Sequence, residues 1–123
     1  MERQKPHKGL KLWSEVMNLV VYLYQISKEF PREEEYGLKS QIRRAAVSVP
    51  SNISEGLTRK SAKDRYHFLN IAQGSLSEID AQIEIAERLG YIDDSVEKKS
   101  NESLATVERL LSGLMRSVKA QST

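Results

Sequence analysis

The sequence predicts an all-α protein, an up-down-up-down four-helix bundle forming a single domain over residues 1–123, and three observations carry that expectation. Apolar residues recur at helical spacing in four consecutive segments. The connections between these segments are short, which favours antiparallel neighbours. No run of alternating β-branched residues competes with them. At 39% hydrophobic and 29% charged over 123 residues, the chain has the size and balance of one globular domain with one core.

A flexible tail is expected at residues 1–9, followed by a first helix over about Leu10 to Lys28. Its apolar positions (Leu12, Trp13, Val16, Met17, Leu19, Val20, Leu23, Tyr24, Ile26) are more than one face can bury, so this helix should touch more than its own bundle. Phe30-Pro31 ends it, and Glu33, Glu34 and Glu35 then suit the positive end of the next helix dipole. The second helix is expected from near Glu34 to Gly56, on the stripe Leu38, Ile42, Ala45, Ala46, Val49, Ile53. Pro50 has no N–H to give the Ala46 carbonyl, so the helix should kink there, or restart with Ser48 or Val49 as cap and Pro50 in the first helical position. Gly56 is the expected closing residue.

Ser61 and Asp64 have capping-box spacing for a third helix, and the stripe Leu69, Ala72, Leu76, Ile79, Ile83, Ala86 runs on to Leu89-Gly90, where glycine can close it. That makes about 29 residues, or roughly 43 Å at 1.5 Å per residue. Asp93 or Asp94 can cap the fourth helix, whose stripe Leu104, Val107, Leu111, Leu114, Val118 leads to a basic last turn at Arg116 and Lys119. Its first turns offer only Val96 for burial, and residues 120–123 are expected to fray.

Several classes of function are excluded or disfavoured on composition. The chain has no cysteine, hence no disulfide framework, thiol nucleophile or cysteine-ligated zinc, which fits a reducing cytoplasm. The longest uncharged run, Val16 to Ser27, falls short of the roughly 20 apolar residues that span a bilayer. The basic N-terminus ahead of Leu19 to Leu23 imitates a signal peptide, but Glu15 intrudes and no small-residue cleavage site follows, so a cytoplasmic protein is expected. Di-iron bundles need two Glu-x-x-His pairs, whereas here only Asp64-x-x-His67 has the offset and His7 lies in the tail. No histidine is placed to activate a serine, and Gly37, Gly56, Gly74 and Gly90 are isolated rather than forming a phosphate loop. No enzyme activity, cofactor or metal is expected.

Charge is distributed unevenly. Residues 1 to 65 hold 13 Lys and Arg against 8 Asp and Glu, while residues 66 to 123 hold 6 against 9. Between Lys39 and Arg65 seven basic residues face only Glu55 and Asp64, which is where an anionic partner would go. The candidate nucleic-acid contacts are Arg43, Arg44, Arg59, Lys60, Lys63 and Arg65. With no aromatic interleaved among the last four before Tyr66, the signal supports phosphate electrostatics rather than base stacking. A solvated charge run at a helix link is the plainer reading of the same residues. Arg44 carries a second reading: a second face of the third helix (Phe68, Ile71, Ser75, Glu78, Gln82, Ile85) places Glu78 where burial would demand a cation, which Arg44 could supply within the assembly, leaving only Arg43 free. Gly74 in mid-helix permits a close approach, either of the second helix within the bundle or of another subunit.

Taken in order, Leu12-Trp13, Val16 to Tyr24, Tyr36-Gly37-Leu38, Arg43-Arg44-Ala45-Ala46, Pro50-Ser51-Asn52-Ile53, Glu55-Gly56, Gly74-Ser75-Leu76 and Leu89-Gly90-Tyr91-Ile92 resemble the bacterial four-helix-bundle family encoded by intervening sequences in 23S ribosomal RNA genes. The resemblance implies a homo-oligomer, a pentameric ring, related to the accessory proteins of diversity-generating retroelements that associate with a reverse transcriptase and nucleic acid. It implies no catalytic activity and transfers no site residues. The resulting expectation is a non-enzymatic ring binding RNA or DNA through phosphates, the alternative a protein-interaction scaffold or accessory subunit with no nucleic-acid role.

Overall fold

The computed structural model describes residues 10–121. The tail expected at residues 1–9, with His7, and the last two residues of the fraying expected at 120–123 lie outside the described residues. Four helices follow in order: α1 (Lys11–Ser27), α2 (Leu38–Leu57), α3 (Ala62–Arg88) and α4 (Asp94–Ala120), with a 3-10 turn at Arg32–Glu34 and no strand among the described residues. Each helix packs on two others, α1 and α3 both lying against α2 and α4, while the backbones of diagonal pairs stay apart. This is the square section of an antiparallel bundle.

The predicted stripes form the core. Val16, Leu19 and Leu23 of α1, Ile42, Val49 and Ile53 of α2, Leu69, Leu76, Ile79 and Ile83 of α3, and Val107 and Leu111 of α4 are all at most 1% exposed. The breadth of the α1 stripe is visible at its outer edge, where Met17 and Val21 are exposed. In α4 the stripe shifts by one residue near its end, so that Met115 is buried and Leu114 only half-buried. Val96 is not alone at the start of α4: Ser100 is fully buried there, and its hydroxyl donates to the Val96 carbonyl at 2.8 Å.

Helix boundaries differ from expectation where side chains do the capping. α2 begins at Leu38 rather than near Glu34, because Glu34 acts from outside the helix: its Oε1 accepts the Leu38 N–H at 2.9 Å. Its other oxygen accepts the Tyr91 hydroxyl at 2.8 Å, which ties the start of α2 to the α3–α4 link. The Leu38 N–H, then the Tyr91 hydroxyl, hold the Glu34 carboxyl below its ordinary range. α2 is continuous through Pro50, so the helix does not restart with Ser48 or Val49 as its cap. Gly56 is not the closing residue either, since α2 extends to Leu57. It serves the crossing with α3 instead: a Cβ there would lie 3.0 Å from Phe68 Cβ and 3.1 Å from the Arg65 carbonyl oxygen.

α3 starts as its sequence indicates, with Ser61 Oγ accepting the Asp64 N–H at 3.0 Å. It spans 27 residues rather than 29 and ends in a Schellman motif, in which the Tyr91 N–H reaches the Ala86 carbonyl at 2.8 Å and the Gly90 N–H reaches Glu87 at 3.0 Å. Gly90 has φ 79°, a conformation that a side chain would disfavour. Of the two aspartates, Asp93 caps α4, its Oδ1 accepting the Val96 N–H at 2.9 Å.

Candidate nucleic-acid interface

The six candidate residues do not form one site. Arg43 and Arg44 sit in the first half of α2, and Arg59, Lys60, Lys63 and Arg65 surround its far end, about 20 Å along the helix axis.

The two neighbouring arginines have opposite fates, for a reason internal to the helix. Successive residues are turned by about 100°, so with Ile42, Ala45 and Ala46 on the core, Arg43 and Arg44 cannot share a direction. Arg43 turns toward α1: its Nε donates to Ser27 Oγ at 2.8 Å, its Nη2 donates to the Tyr24 carbonyl at 3.0 Å, and its guanidinium lies 4.5 Å from the Tyr24 ring centre. Arg44 is exposed and pairs with nothing among the described residues. The expectation of a free Arg43 is therefore corrected: Arg43 is the structural residue and Arg44 the available one. Glu78 is exposed rather than buried, so within the protomer it makes no demand on Arg44. Both arginines line an open cleft of ≈ 410 Å³ with Tyr24, Tyr36 and Lys39, in which Lys39 is paired with Glu35 at 2.9 Å.

At the α2–α3 link the same sorting occurs. Arg59 Nη2 donates to Glu55 Oε2 at 2.7 Å, and its guanidinium lies 4.8 Å from the Phe68 ring centre. Arg65 Nη1 donates to the carbonyls of Arg59 (3.0 Å) and Lys60 (3.1 Å), and its Nη2 reaches Gln121 Oε1 at 3.2 Å. Arg65 thereby holds the turn together and fastens the end of α4 to it. Lys60 and Lys63 are exposed and have no partner among the described residues.

That Arg65–Gln121 bond marks what sequence reasoning missed. Antiparallel packing returns the last turn of α4 to this end of the bundle, where Lys119 lines an open groove of ≈ 390 Å³ with Lys63 and Tyr66. Arg116 and Lys119 line an adjoining groove of ≈ 230 Å³, again with Tyr66. The signal was present: the predicted topology already placed the basic last turn of α4 beside the α2–α3 link. Tyr66, half-buried, is thus the aromatic interleaved with the cations.

The opposite half of the α3–α4 flank is acidic. Asp80, Glu84 and Glu87 of α3 face Glu97 of α4 across a cleft that also holds Arg88, paired with Glu84 at 3.0 Å. Burial first, then the charges of Glu87, Asp94 and Glu84, push the Glu97 carboxyl above its ordinary range, and burial with Asp80 does the same to Glu108. A raised carboxylate pKa means that the folded state disfavours the charge: the cost is present at neutral pH and disappears below the unfolded pKa, where both states are protonated. Glu97→Gln is accordingly expected to raise the melting temperature at pH 7 and to leave it unchanged under strongly acidic conditions, as thermal melts across pH will show. Among the described residues no group of three His, Asp or Glu side chains is arranged to hold a metal ion, and no helix is long and apolar enough to cross a membrane.

Four antiparallel helices with a basic end and an acidic flank define a small, charge-polarised helical bundle. The sequence profile of the 23S rRNA-intervening sequence protein family matches residues 8–113, and the chain belongs to that family. Its fold is also that of a protein of unknown function from the S23 ribosomal protein family of Bacteroides thetaiotaomicron, at TM-score 0.78 and 23% identity, over 85% of this chain and 97% of that one. No curated protein matches the chain.

Proposed function

We propose that the chain is a non-enzymatic, cytoplasmic bundle that self-associates into a ring, a pentamer, and binds RNA or another nucleic acid through phosphate contacts at its basic end. In this reading α2 bends at Pro50, where the Ala46 carbonyl loses its helical donor. The carrying observation is the convergence of Lys63 with Arg116 and Lys119 around Tyr66, which joins two charge runs from distant parts of the sequence, with Lys60 exposed in the same α2–α3 link. Arg59 and Arg65 shape this surface through their own bonds and contribute charge to it. Arg44, exposed on another face, lies outside it. Ring formation would multiply a modest patch: two phosphates on each of five subunits make about ten contacts.

The acidic flank at Asp80, Glu84 and Glu87 favours a second reading, a protein-interaction scaffold or an accessory subunit, for example of a reverse transcriptase, in which the basic end meets an acidic protein surface or the acidic flank of a neighbouring copy. Protein purified without nuclease distinguishes the two by its absorbance ratio, with RNA as the first probe for a member of the 23S rRNA-intervening sequence protein family. The Lys60→Glu, Lys63→Glu double variant is expected to abolish RNA binding while keeping the wild-type mass. A nucleic-acid-free preparation, with an assembly that this variant breaks, would establish the scaffold instead.

A further inference from the structure

Tyr66 stands at the basic end of the bundle, and its ring is left over by the fold. The other tyrosine and phenylalanine rings built into the bundle all have partners. Lys99 lies 4.7 Å from the Tyr22 ring centre, Arg43 4.5 Å from that of Tyr24 and Arg59 4.8 Å from that of Phe68, while Phe30 and Tyr91 stand against each other at 5.6 Å. Tyr66 is half-buried at the edge of the core, yet no cation or second ring lies against it and its hydroxyl makes no hydrogen bond among the described residues. Tyr36 shares this lack of partners but is 96% exposed, at the opposite end of α2.

The surroundings of Tyr66 are not those of a patch made for phosphates alone. The groove of ≈ 390 Å³ that it lines with Ala62, Lys63 and Lys119 is predominantly apolar. The adjoining groove of ≈ 230 Å³ adds Gln73, Ser112, Met115 and Arg116, and Tyr66 and Lys119 belong to both. Together they form a furrow between α3 and α4 that follows α3 from Ala62 to Gln73, about 16 Å at 1.5 Å per residue. Phosphates need cations and gain nothing from an apolar wall. A nucleobase is a flat aromatic with polar edges, which gains by leaving water for an apolar slot and by stacking on an aromatic ring. Gln73 and Ser112, whose side chains have no hydrogen-bond partner among the described residues, offer donors and acceptors to such an edge. We infer that this furrow takes the bases of an unpaired stretch of RNA, one base stacked on the Tyr66 ring and the flanking phosphates on Lys63, Lys119 and Arg116, so that the basic end selects single-stranded over double-helical RNA. In a duplex the base faces are covered by their neighbours in the stack, and a ring set between α3 and α4 does not reach them. The inference rests on the nucleic-acid binding in the proposed function and names the form of RNA bound.

Electrostatics alone gives the opposite preference. A duplex carries the denser charge and releases more counterions, with a slope of about −0.9 per contact for duplex DNA against about −0.7 for a single strand, so cations without a base site favour the duplex. Fluorescence anisotropy at moderate salt compares a short labelled RNA that does not pair with itself and the same strand annealed to its complement. The single strand is expected to bind the wild type about tenfold more tightly. Tyr66→Leu, which keeps an apolar side chain against the core, should lower the single-strand affinity by about 5- to 100-fold while leaving the duplex affinity and the salt slope unchanged. Tyr66→Phe keeps the ring and should bind within about twofold of the wild type. A duplex bound as tightly as the single strand, a single-strand affinity indifferent to Tyr66→Leu, or a loss shared equally by the duplex would overturn the inference, and salt-sensitive binding would in each case leave the proposed function standing. Absence of binding to either RNA would overturn both. The wild-type comparison needs no variant, so it decides even where Tyr66→Leu fails to melt cooperatively.

Discussion

RNA affinity is expected to fall about 10²-fold between roughly 50 and 200 mM monovalent salt if one copy engages about four phosphates, and about 10⁴- to 10⁵-fold if a ring engages about ten. Counterion release sets the size of the effect: each neutralised phosphate contributes a slope of about −0.7 to −0.9 in log affinity against log salt, and a fourfold change in salt converts the summed slope into a large factor. The magnitude therefore counts contacts. Lys63, Arg116 and Lys119 lie around Tyr66 and Lys60 is exposed in the adjoining α2–α3 link, four cations at one end of the protomer, of which Lys119 also has a contact within the fold. Arg59 is partly neutralised by Glu55, and the Arg65 guanidinium is engaged with carbonyl oxygens. Fluorescence anisotropy of a labelled RNA across a salt series reads the slope. Lys60→Glu with Lys63→Glu should remove the affinity at moderate salt and, where residual binding is measurable at low salt, reduce the slope by about two contacts. An affinity that does not change over this salt range is incompatible with a phosphate interface and leaves the scaffold reading in possession of the basic end.

The division between what was legible in the sequence and what was not follows helix geometry. Periodicity reports which residues face a core, so the stripe from Leu69 to Ala86 in α3 and that from Leu38 to Ile53 in α2 are buried as written. Local capping chemistry was equally readable at Ser61, Asp93 and Gly90, because each acts on backbone groups within a few residues. Periodicity does not say which neighbouring helix flanks the stripe. The sequence favoured Arg43 as the free arginine and Arg44 as the structural one, but with α1 on one side of α2 it is Arg43 that Ser27 and the Tyr24 carbonyl engage. The contribution of Arg116 and Lys119 is non-local in the same sense, since 50 or more residues separate them from Lys63 and only the return of α4 brings them together. Glu34 was misplaced for a related reason: acidic residues before a stripe look like a first turn, whereas here the carboxylate caps from outside and is held there by Tyr91.

Gly56→Leu is expected to cost about 3 kcal/mol and to lower the melting temperature by roughly 10 °C or more, the largest stability loss of the variants considered. At this crossing the first atom of any side chain already meets a backbone oxygen, that of Arg65, at 3.1 Å, and Phe68 Cβ at 3.0 Å. Neither is the movable tip of a side chain, so α2 and α3 must separate to admit the leucine. α2 and α3 are the most extensively packed pair of helices in the bundle, and strain at this crossing is transmitted directly to the basic end. Phe68 carries the Arg59 guanidinium on its ring, and the Arg65 side chain bonds the carbonyls of Arg59 and Lys60. Gly56→Leu should therefore weaken RNA binding although no charge has changed. Gly74 provides the internal control: with no atom near its Cβ position, Gly74→Ala should leave RNA binding by the protomer intact and raise helix stability by up to about 1 kcal/mol. Thermal melts of the two variants side by side decide the matter, since a Gly56→Leu protein that melts with the wild type would mean that α2 and α3 do not approach as closely at this end as the Arg59–Arg65 turn requires.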